Sequence, residues 1–391
     1  MSIDYAGLQN VTESKRASER LLALRQGSLK AVRAQRDDNS FLLATWNIRD
    51  FDSNKFGFGH RLDESFYYIA ELISCFDLVA LQEITKDLRP FMKLMGILGS
   101  SEWDYLLTDV TAGTSGNQER MGFVWRKDKV QFRHVAGEVI LPDGQLIVAP
   151  AKVDPKTVDD DSVEPPAESK LQFARSPYLV SFESGWFQFS LCTVHIYFGS
   201  KDGPELERRI NEIAALVDFF AKRQNSEVAD ARKEAREADT ETPTGRTPPP
   251  QVENYILLGD FNVVSPEHRT MEALESKGFD VPEQIDAKHI PTDKRKHFYD
   301  QIAVRVKDPR FKVTTGGVLD VFADVFRDED ESVYRSEVPK KDPEKDPAFK
   351  TKDPQKLYEK WRTWQMSDHS PLWVKIESDF ADDYLNKIAG A

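Results

Sequence analysis

A chain of 391 residues with 40% apolar and 30% charged residues is long enough to bury a sizeable core and has an ordinary water-soluble composition. The formal net charge of −13 argues against a protein that coats nucleic acid by bulk electrostatics, although a local cleft of Arg and Lys can grip phosphate on an acidic body. The only cysteines, Cys75 and Cys192, each fall in an apolar pattern and read as small core residues, which argues against a disulfide framework and for a reducing compartment, the cytoplasm by default.

Residues 1–38 read as a charged, amphipathic N-terminal helical extension, with Leu21, Leu22, Leu24, Leu29 and Val32 forming one stripe against the main body. The opening Met-Ser-Ile-Asp-Tyr starts no apolar leader, and no segment approaches the roughly 18 apolar residues of a membrane span, so no membrane association is expected. Residues 42–46 predict a buried strand. Phe66, Ile69, Ala70, Ile73 and Phe76 keep helical spacing, and residues 78–81 predict a second buried strand ending at Gln82-Glu83.

Further strands are predicted over residues 122–125, 135–141, 178–182 and 186–197. A helix is marked by Leu206, Ile210, Ile213, Val217 and Phe220, and strands follow over residues 255–258, 301–304 and 372–376. Strands clustered in pairs with helices between them predict an α+β fold, an α/β sandwich of two packed, mostly antiparallel β-sheets flanked by helices. Residues 39–391 read as a single domain. Three polar stretches, 151–170, 222–251 and 336–356, read as mobile insertions, because they cannot bury enough apolar area to offset the entropy of ordering.

Polar residues stand at the ends of these strands in six places. They are Trp46-Asn47-Ile48-Arg49; Leu81-Gln82-Glu83; Glu119-Arg120; Thr193-Val194-His195; Gly259-Asp260-Phe261-Asn262; and Tyr299-Asp300-Gln301-Ile302 together with Ser367-Asp368-His369-Ser370-Pro371. Each alone has a plain structural explanation. A Glu after a strand is usually a solvated turn residue, Gly-Asp-Phe-Asn suits an Asx-turn, Asp-His-Ser-Pro suits a turn, and a lone His195 suits a hydrogen-bonded core. Arg49 and Arg120 would ordinarily be surface charges. The ordered set is what points to a site, since strand ends are where a sandwich gathers residues distant in sequence.

Together these residues resemble the endonuclease/exonuclease/phosphatase, or DNase I-like, superfamily, which includes DNase I, abasic-site endonucleases, inositol polyphosphate 5-phosphatases and sphingomyelinases. The resemblance runs from Phe41 to about Ile376. It is nearest to the DNase I branch in Trp46-Asn47-Ile48-Arg49, Glu119-Arg120 before a strand, Ala174-Arg175-Ser176-Pro177 and Tyr299-Asp300-Gln301-Ile302. The chain departs from secreted members in lacking disulfides and a signal peptide, and its three insertions have no counterpart.

The resemblance implies a metal-dependent phosphodiesterase, foremost an endonuclease on DNA or RNA that uses in-line attack by an activated water. Hard carboxylate and amide oxygens suit Mg²⁺ or Mn²⁺, and no Cys/His cluster is spaced for zinc. Glu83, Asn47 and Asp368 would hold the metal. Asp260 would orient or deprotonate water, and Asn262 would hold a phosphate oxygen or the nucleophile. His369 would donate to the phosphate, kept cationic by Asp300, and His195 would pair with Glu119, a carboxylate expected to raise its pKa. Arg49, Arg120 and Arg175 are candidate phosphate clamps. Tyr197 and Phe198 either stack a base or fill the core. Nucleic acid is the expected partner, DNA before RNA, and no obligate protein partner is evident. The competing readings are a phosphatase or phospholipase on inositol phosphates, lipids or nucleotides, and a catalytically silent scaffold.

Overall fold

The structure is a computed structural model that describes residues 3–110, 118–150, 169–241, 252–286, 297–339 and 353–389, with the backbone alone over 235–241. Its strands among these residues are β1 (Ser40–Asn47), β2 (Leu78–Thr85), β3 (Trp103–Leu107), β4 (Glu119–Arg126), β5 (Gln131–Glu138), β6 (Ile147–Ala149), β7 (Ser169–Leu171), β8 (Tyr178–Ser184), β9 (Phe187–His195), β10 (Tyr255–Asp260), β11 (Asp300–Arg305), β12 (Val313–Val318) and β13 (Leu372–Glu377). One sheet runs β12-β13-β1-β2-β4-β3, the other β11-β10-β9-β8-β5, and β6 pairs with β7 as a separate ribbon. Each sheet holds one parallel pair, β1 with β2 and β9 with β10, while every other pairing is antiparallel. The expected sandwich is therefore present.

Strand alternation explains why the sheets stack. In β1 the side chains of Phe41 and Leu43 join the core between the sheets, whereas Leu42, Ala44 and Trp46 join a second core under the helices. In β2, Leu78 and Ala80 face the same way as Phe41, and Val79 and Leu81 the other. Aromatic rings lock the inner faces together: Phe41 stacks on Phe189 at 5.1 Å, and Phe123 meets Phe182 edge-on at 5.5 Å. A polar contact also crosses this layer, where the buried Gln82 donates to Thr193 Oγ1 at 2.9 Å.

Helices cover both outer faces. On the first sheet lie α1 (Ser14–Gln26), α2 (Ser28–Arg33), α3 (Asp63–Ile73) and α4 (Arg89–Leu98); on the second lies α5 (Gly203–Glu241), through Ile213, Leu216, Val217 and Phe220. Short helices α6 (Arg269–Leu274), α7 (Glu283–Asp286) and α8 (Glu331–Tyr334) precede α9 (Pro354–Gln365) and α10 (Ala381–Ala389). Cys75 sits in the helix-side core and Cys192 in the inter-sheet core, both as free thiols. No helix among the described residues is long and apolar enough to cross a membrane.

The N-terminal helices pack as expected, with Leu21, Leu24, Leu29 and Val32 buried, but Leu22 is 56% exposed and off the stripe. Ion pairs reinforce this packing: Arg16 meets Glu64 at 3.0 Å, and Arg25 and Arg33 both reach the buried Glu71. Residues 222–241 are not a loop but the continuation of α5, whose charged turns still carry a buried Gln224 bonded to the carbonyls of Glu253 and Arg305. Residues 169–170 begin β7 and residues 354–356 begin α9, while 151–168, 242–251 and 340–352 lie outside the described residues.

Gly259 fixes how closely β10 approaches β9. Its φ of 139° disfavours an L side chain, and a Cβ there would lie 2.1 Å from the Val194 carbonyl oxygen. Gly259→Ala should destabilise the fold by about 1–3 kcal/mol from backbone conformation alone, with the clash adding to it. Thermal unfolding of the variant should show a clearly lowered Tm.

Candidate active site

The strand ends expected to carry chemistry converge at one edge of the sandwich. Because β9 and β10 are parallel and β11 returns antiparallel, His195, Asp260 and Asp300 stand side by side in register. Asn47 ends β1 in the facing sheet, and Glu83 lies next to it in β2. A regular strand would send Gln82 and Glu83 to opposite faces. Here the β2–β4 register shifts between Leu81 and Ile84, and Glu83 takes a φ of 62°, so a bulge re-aims its carboxylate. The turn after β1 wraps around it, with Arg49 and Asp50 at φ 46° and 38° and the Asp50 amide donating to Glu83 Oε2 at 2.7 Å.

Asn47 is the link between sheets. Its Nδ2 donates to Glu83 Oε1 at 2.8 Å and to Asp260 Oδ2 at 3.1 Å, while its Oδ1 accepts the Arg49 amide at 2.9 Å. Asp260 Oδ1 accepts the Asn262 amide at 3.0 Å, an Asx-turn that holds Asn262 at φ 54°. Asn262 Nδ2 donates to the Ile196 carbonyl at 2.7 Å. Two imidazoles then approach Asp260 Oδ2, His195 Nε2 at 3.6 Å and His369 Nε2 at 3.8 Å.

Each histidine is backed by its own carboxylate, and the two couples differ in charge. His369 Nδ1 lies 2.7 Å from Asp300 Oδ2. Burial opposes its imidazolium, but the charge and hydrogen bond of Asp300 outweigh that, and its pKa lies well above the ordinary imidazole value. His195 Nδ1 lies 2.8 Å from Glu119 Oε1, the expected pairing, yet its pKa is lowered to about 4. Burial is the main cause and the Arg175 guanidinium the next. The same burial pushes Glu119 up to about 7, against the pull of Arg175. His195 is thus neutral where a cation was expected; burial is the first reason, and Arg175, whose Nε rests directly on Glu119, adds to it.

Arg175 is consequently part of the site wall, only 7% exposed, rather than a free clamp. Arg120 is engaged by the Thr108 carbonyl at 2.7 Å and by Asp109 at 3.3 Å. Arg49 lies over the Trp364 ring at 3.9 Å, bonds Thr363 and meets Asp368 at 3.2 Å. Asp368 is half-exposed and turned to that arginine. Tyr197 is part-buried under Arg208, whose guanidinium sits 4.1 Å from its ring.

Oxygen donors suited to a hard cation are assembled at Glu83, with Asn47 and Asp260 adjoining. Burial raises the Glu83 pKa, with Glu119 and Asp50 adding repulsion, so a cation would relieve a crowded set of acids. Glu83, Glu119 and His195 also offer donor atoms within 4.8 Å of one another, although Glu119 and His195 already face each other. A pocket of about 620 Å³ is lined by residues that include Asp52 and Thr85, with Arg89 paired to Asp87 and Lys93 to Asp63.

Sequence reasoning missed Arg209 and Glu212. Arg209 is fully buried and donates to the carbonyls of Phe198 at 3.0 Å, Ser200 at 2.6 Å and Asn262 at 3.0 Å. Glu212 accepts the Ala174 amide at 3.3 Å, next to Arg175. Arg-Arg in a charged helix reads as a solvated face; the available signal was that Arg209 sits three residues after the stripe residue Leu206.

No protein-family profile matches this chain, and no curated protein does. Among solved structures it is similar to an endonuclease/exonuclease/phosphatase family protein from Bacteroides thetaiotaomicron, at 17% identity over 87% of this chain and 96% of that one, with a TM-score of 0.46. It is also similar to a mannosyl-6-phosphatase of the same organism, at 18% identity over 86% and 99%, with a TM-score of 0.45. The human Nocturnin catalytic domain is similar at 12% identity over 89% and 99%, with a TM-score of 0.47.

Replacing Asp300 by Asn keeps the shape of the His369 couple and removes its charge. His369 in the native chain should remain an imidazolium through neutral pH by NMR titration, and in Asp300→Asn its midpoint should fall to the ordinary value of about 6.5 or below.

Proposed function

We propose that this chain is a divalent-metal-dependent phosphodiesterase that cleaves nucleic acid, DNA foremost, with residues 39–391 acting as one catalytic domain of the DNase I-like kind. The observation that carries this reading is the convergence of two imidazoles, from opposite sheets and in opposite charge states, on the single carboxylate Asp260, which Asn47 joins to Glu83. A hydrolytic site needs a proton donor and a proton acceptor at the same pH, and environments that push two similar groups apart supply both.

Mg²⁺ or Mn²⁺ at Glu83, with Asn47 beside it, would neutralise charge on the phosphate oxygens. His369, held cationic by Asp300, donates from Nε2 to a non-bridging oxygen or to the leaving oxygen. With its proton on Nδ1, the side that faces Glu119 at 2.8 Å, His195 would keep Nε2 as an acceptor facing Asp260 and able to orient a water. Asp260 takes the proton of that water or fixes its direction. Asn262, pinned by its Asx-turn, would hold a phosphate oxygen or the nucleophile. Arg49, stacked on Trp364 and paired with the half-exposed Asp368, would clamp a flanking phosphate, and Arg120 would be the second clamp. Arg175 acts on His195 and Glu119 instead.

Incubation with supercoiled plasmid and Mg²⁺ should give nicking that EDTA abolishes. His369→Ala should lower kcat by about 10²–10⁴-fold with the fold intact. Glu83→Gln should abolish nicking and also weaken metal binding measured directly by calorimetry, a readout independent of turnover. Release of phosphate from small phosphoesters with nucleic acid left whole would move the substrate to the phosphatase reading. Retention of biological activity in both variants would leave the scaffold reading.

A further inference from the structure

Arg61 stands between two segments that bring residues to the site. It is 6% exposed, and its guanidinium lies 4.8 Å from the Phe51 ring. From there Nη2 reaches the carbonyls of Ile48 at 2.6 Å, Arg49 at 3.1 Å and Met366 at 3.0 Å, and Nε donates to the Gln365 carbonyl at 3.2 Å. Ile48 and Arg49 follow Asn47 directly, while Gln365 and Met366 stand just before Ser367-Asp368-His369. One side chain thus holds the backbone after Asn47 and the backbone before His369.

Both segments need such a partner. α9 ends at Gln365, and the last carbonyls of a helix have no partner inside it. A cation there also meets the negative end of the helix dipole. On the other side, Arg49 and Asp50 take φ values of 46° and 38°, a backbone conformation that L residues keep only when their surroundings hold them. Burial lowers the Arg61 pKa to about 10, which leaves it cationic at neutral pH, so its bonds to carbonyls are charge-assisted. Neighbouring bonds join the same parts. Gln365 Oε1 accepts the Leu62 amide at 2.7 Å and Ser65 Oγ at 3.1 Å. Ser367 Oγ donates to the Asn47 carbonyl at 2.7 Å and accepts the His369 amide at 3.0 Å.

We propose that Arg61 is a positioning residue, which sets the distance between Asn47 and His369 by clamping the backbone beside each; in its effect on turnover this rests on the phosphodiesterase reading of the same site. Both residues converge on Asp260 Oδ2, Asn47 Nδ2 at 3.1 Å and His369 Nε2 at 3.8 Å, so a shift of either segment opens that meeting point. A displacement of about 1 Å among reacting groups costs up to about 10²-fold in rate. The candidate phosphate clamps are anchored by other groups, Arg49 by Trp364 and Thr363 and Arg120 by the Thr108 carbonyl. Loss of Arg61 therefore falls on kcat rather than on KM. Lysine cannot replace it, since one ammonium on a flexible stem does not span carbonyls from two segments.

Arg61→Lys is compared with Arg36→Lys, an arginine that also bonds two carbonyls, those of Ser74 and Phe76, but ahead of β2 rather than near its Glu83 end. On an oligonucleotide with Mg²⁺, Arg61→Lys should lose about 10–10²-fold in kcat with KM near its native value, and Arg36→Lys should keep both. Arg61 lines surface pockets of about 620 and 260 Å³, so the hole left by Arg61→Ala opens to solvent. Millimolar guanidinium chloride should restore kcat there, and potassium chloride should not. Native kcat in Arg61→Lys, a loss matched by Arg36→Lys, a loss confined to KM, or equal restoration by potassium chloride would overturn the role. The Trp46 indole N–H, which donates to the His369 carbonyl at 2.9 Å, reports the same displacement without turnover. Its NMR resonance should move in Arg61→Lys and stay in Arg36→Lys. If the native chain cuts nothing, the phosphodiesterase reading fails and this resonance decides alone: a shift specific to Arg61→Lys upholds the clamp, and an unmoved signal overturns it.

Discussion

The hydrogen bond from Asn47 to Asp260 runs from one sheet to the other, and the site is organised around it. Asn47 belongs to the end of β1 and Asp260 to the end of β10, so the bond is only as good as the stacking of the two sheets. The apolar layer beneath sets their separation, through rings such as Phe41 on Phe189, and the buried Gln82–Thr193 contact repeats the crossing one layer down. Packing energy spread over many side chains is thereby converted into a position defined for one carboxylate oxygen. A site assembled this way tolerates drift in its loops more easily than any change in the spacing of the layers.

Burial does the remaining tuning. Four acids, Glu83, Glu119, Asp260 and Asp300, share this edge with two imidazoles, and each is largely removed from water. In such surroundings small differences in neighbours have large effects. Asp300 lies against His369 and keeps it charged, whereas Glu119 is divided between His195 and Arg175 and its histidine is neutral. Similar side-chain pairs thus hold opposite protonation states, because burial prevails at His195 with Arg175 adding to it, while Asp300 outweighs burial at His369.

Much of this architecture was legible in the amino-acid order because its cause is periodic. Apolar runs closed by Asn47, Glu83, His195 and Asp260 announced strands and their ends, and the ends define the site. What stayed hidden is not periodic. The bulge that turns Glu83 inward depends on β4 slipping register, which no local pattern encodes. Arg175 read as a phosphate clamp because its pairing with Glu119 joins residues far apart in the chain. The polar segment 222–241 read as a loop because a helix that leans on the body by one narrow edge needs few apolar residues, here Ala231 and the bonds of Gln224. Arg209 was lost among surface charges for a related reason, since its acceptors are backbone carbonyls and carbonyls leave no trace in composition.

The two thiols have a use that the chemistry of the site does not touch. Cys75 lies in the core under the helices and Cys192 in the core between the sheets; burial raises both thiol pKa values, that of Cys75 to about 11. An alkylating reagent finds neither in the folded chain. Each thiol is therefore a built-in clock for its own layer. The order in which the two become reactive in denaturant reports whether the helical shell peels away before the sandwich parts, or whether both layers give way at once.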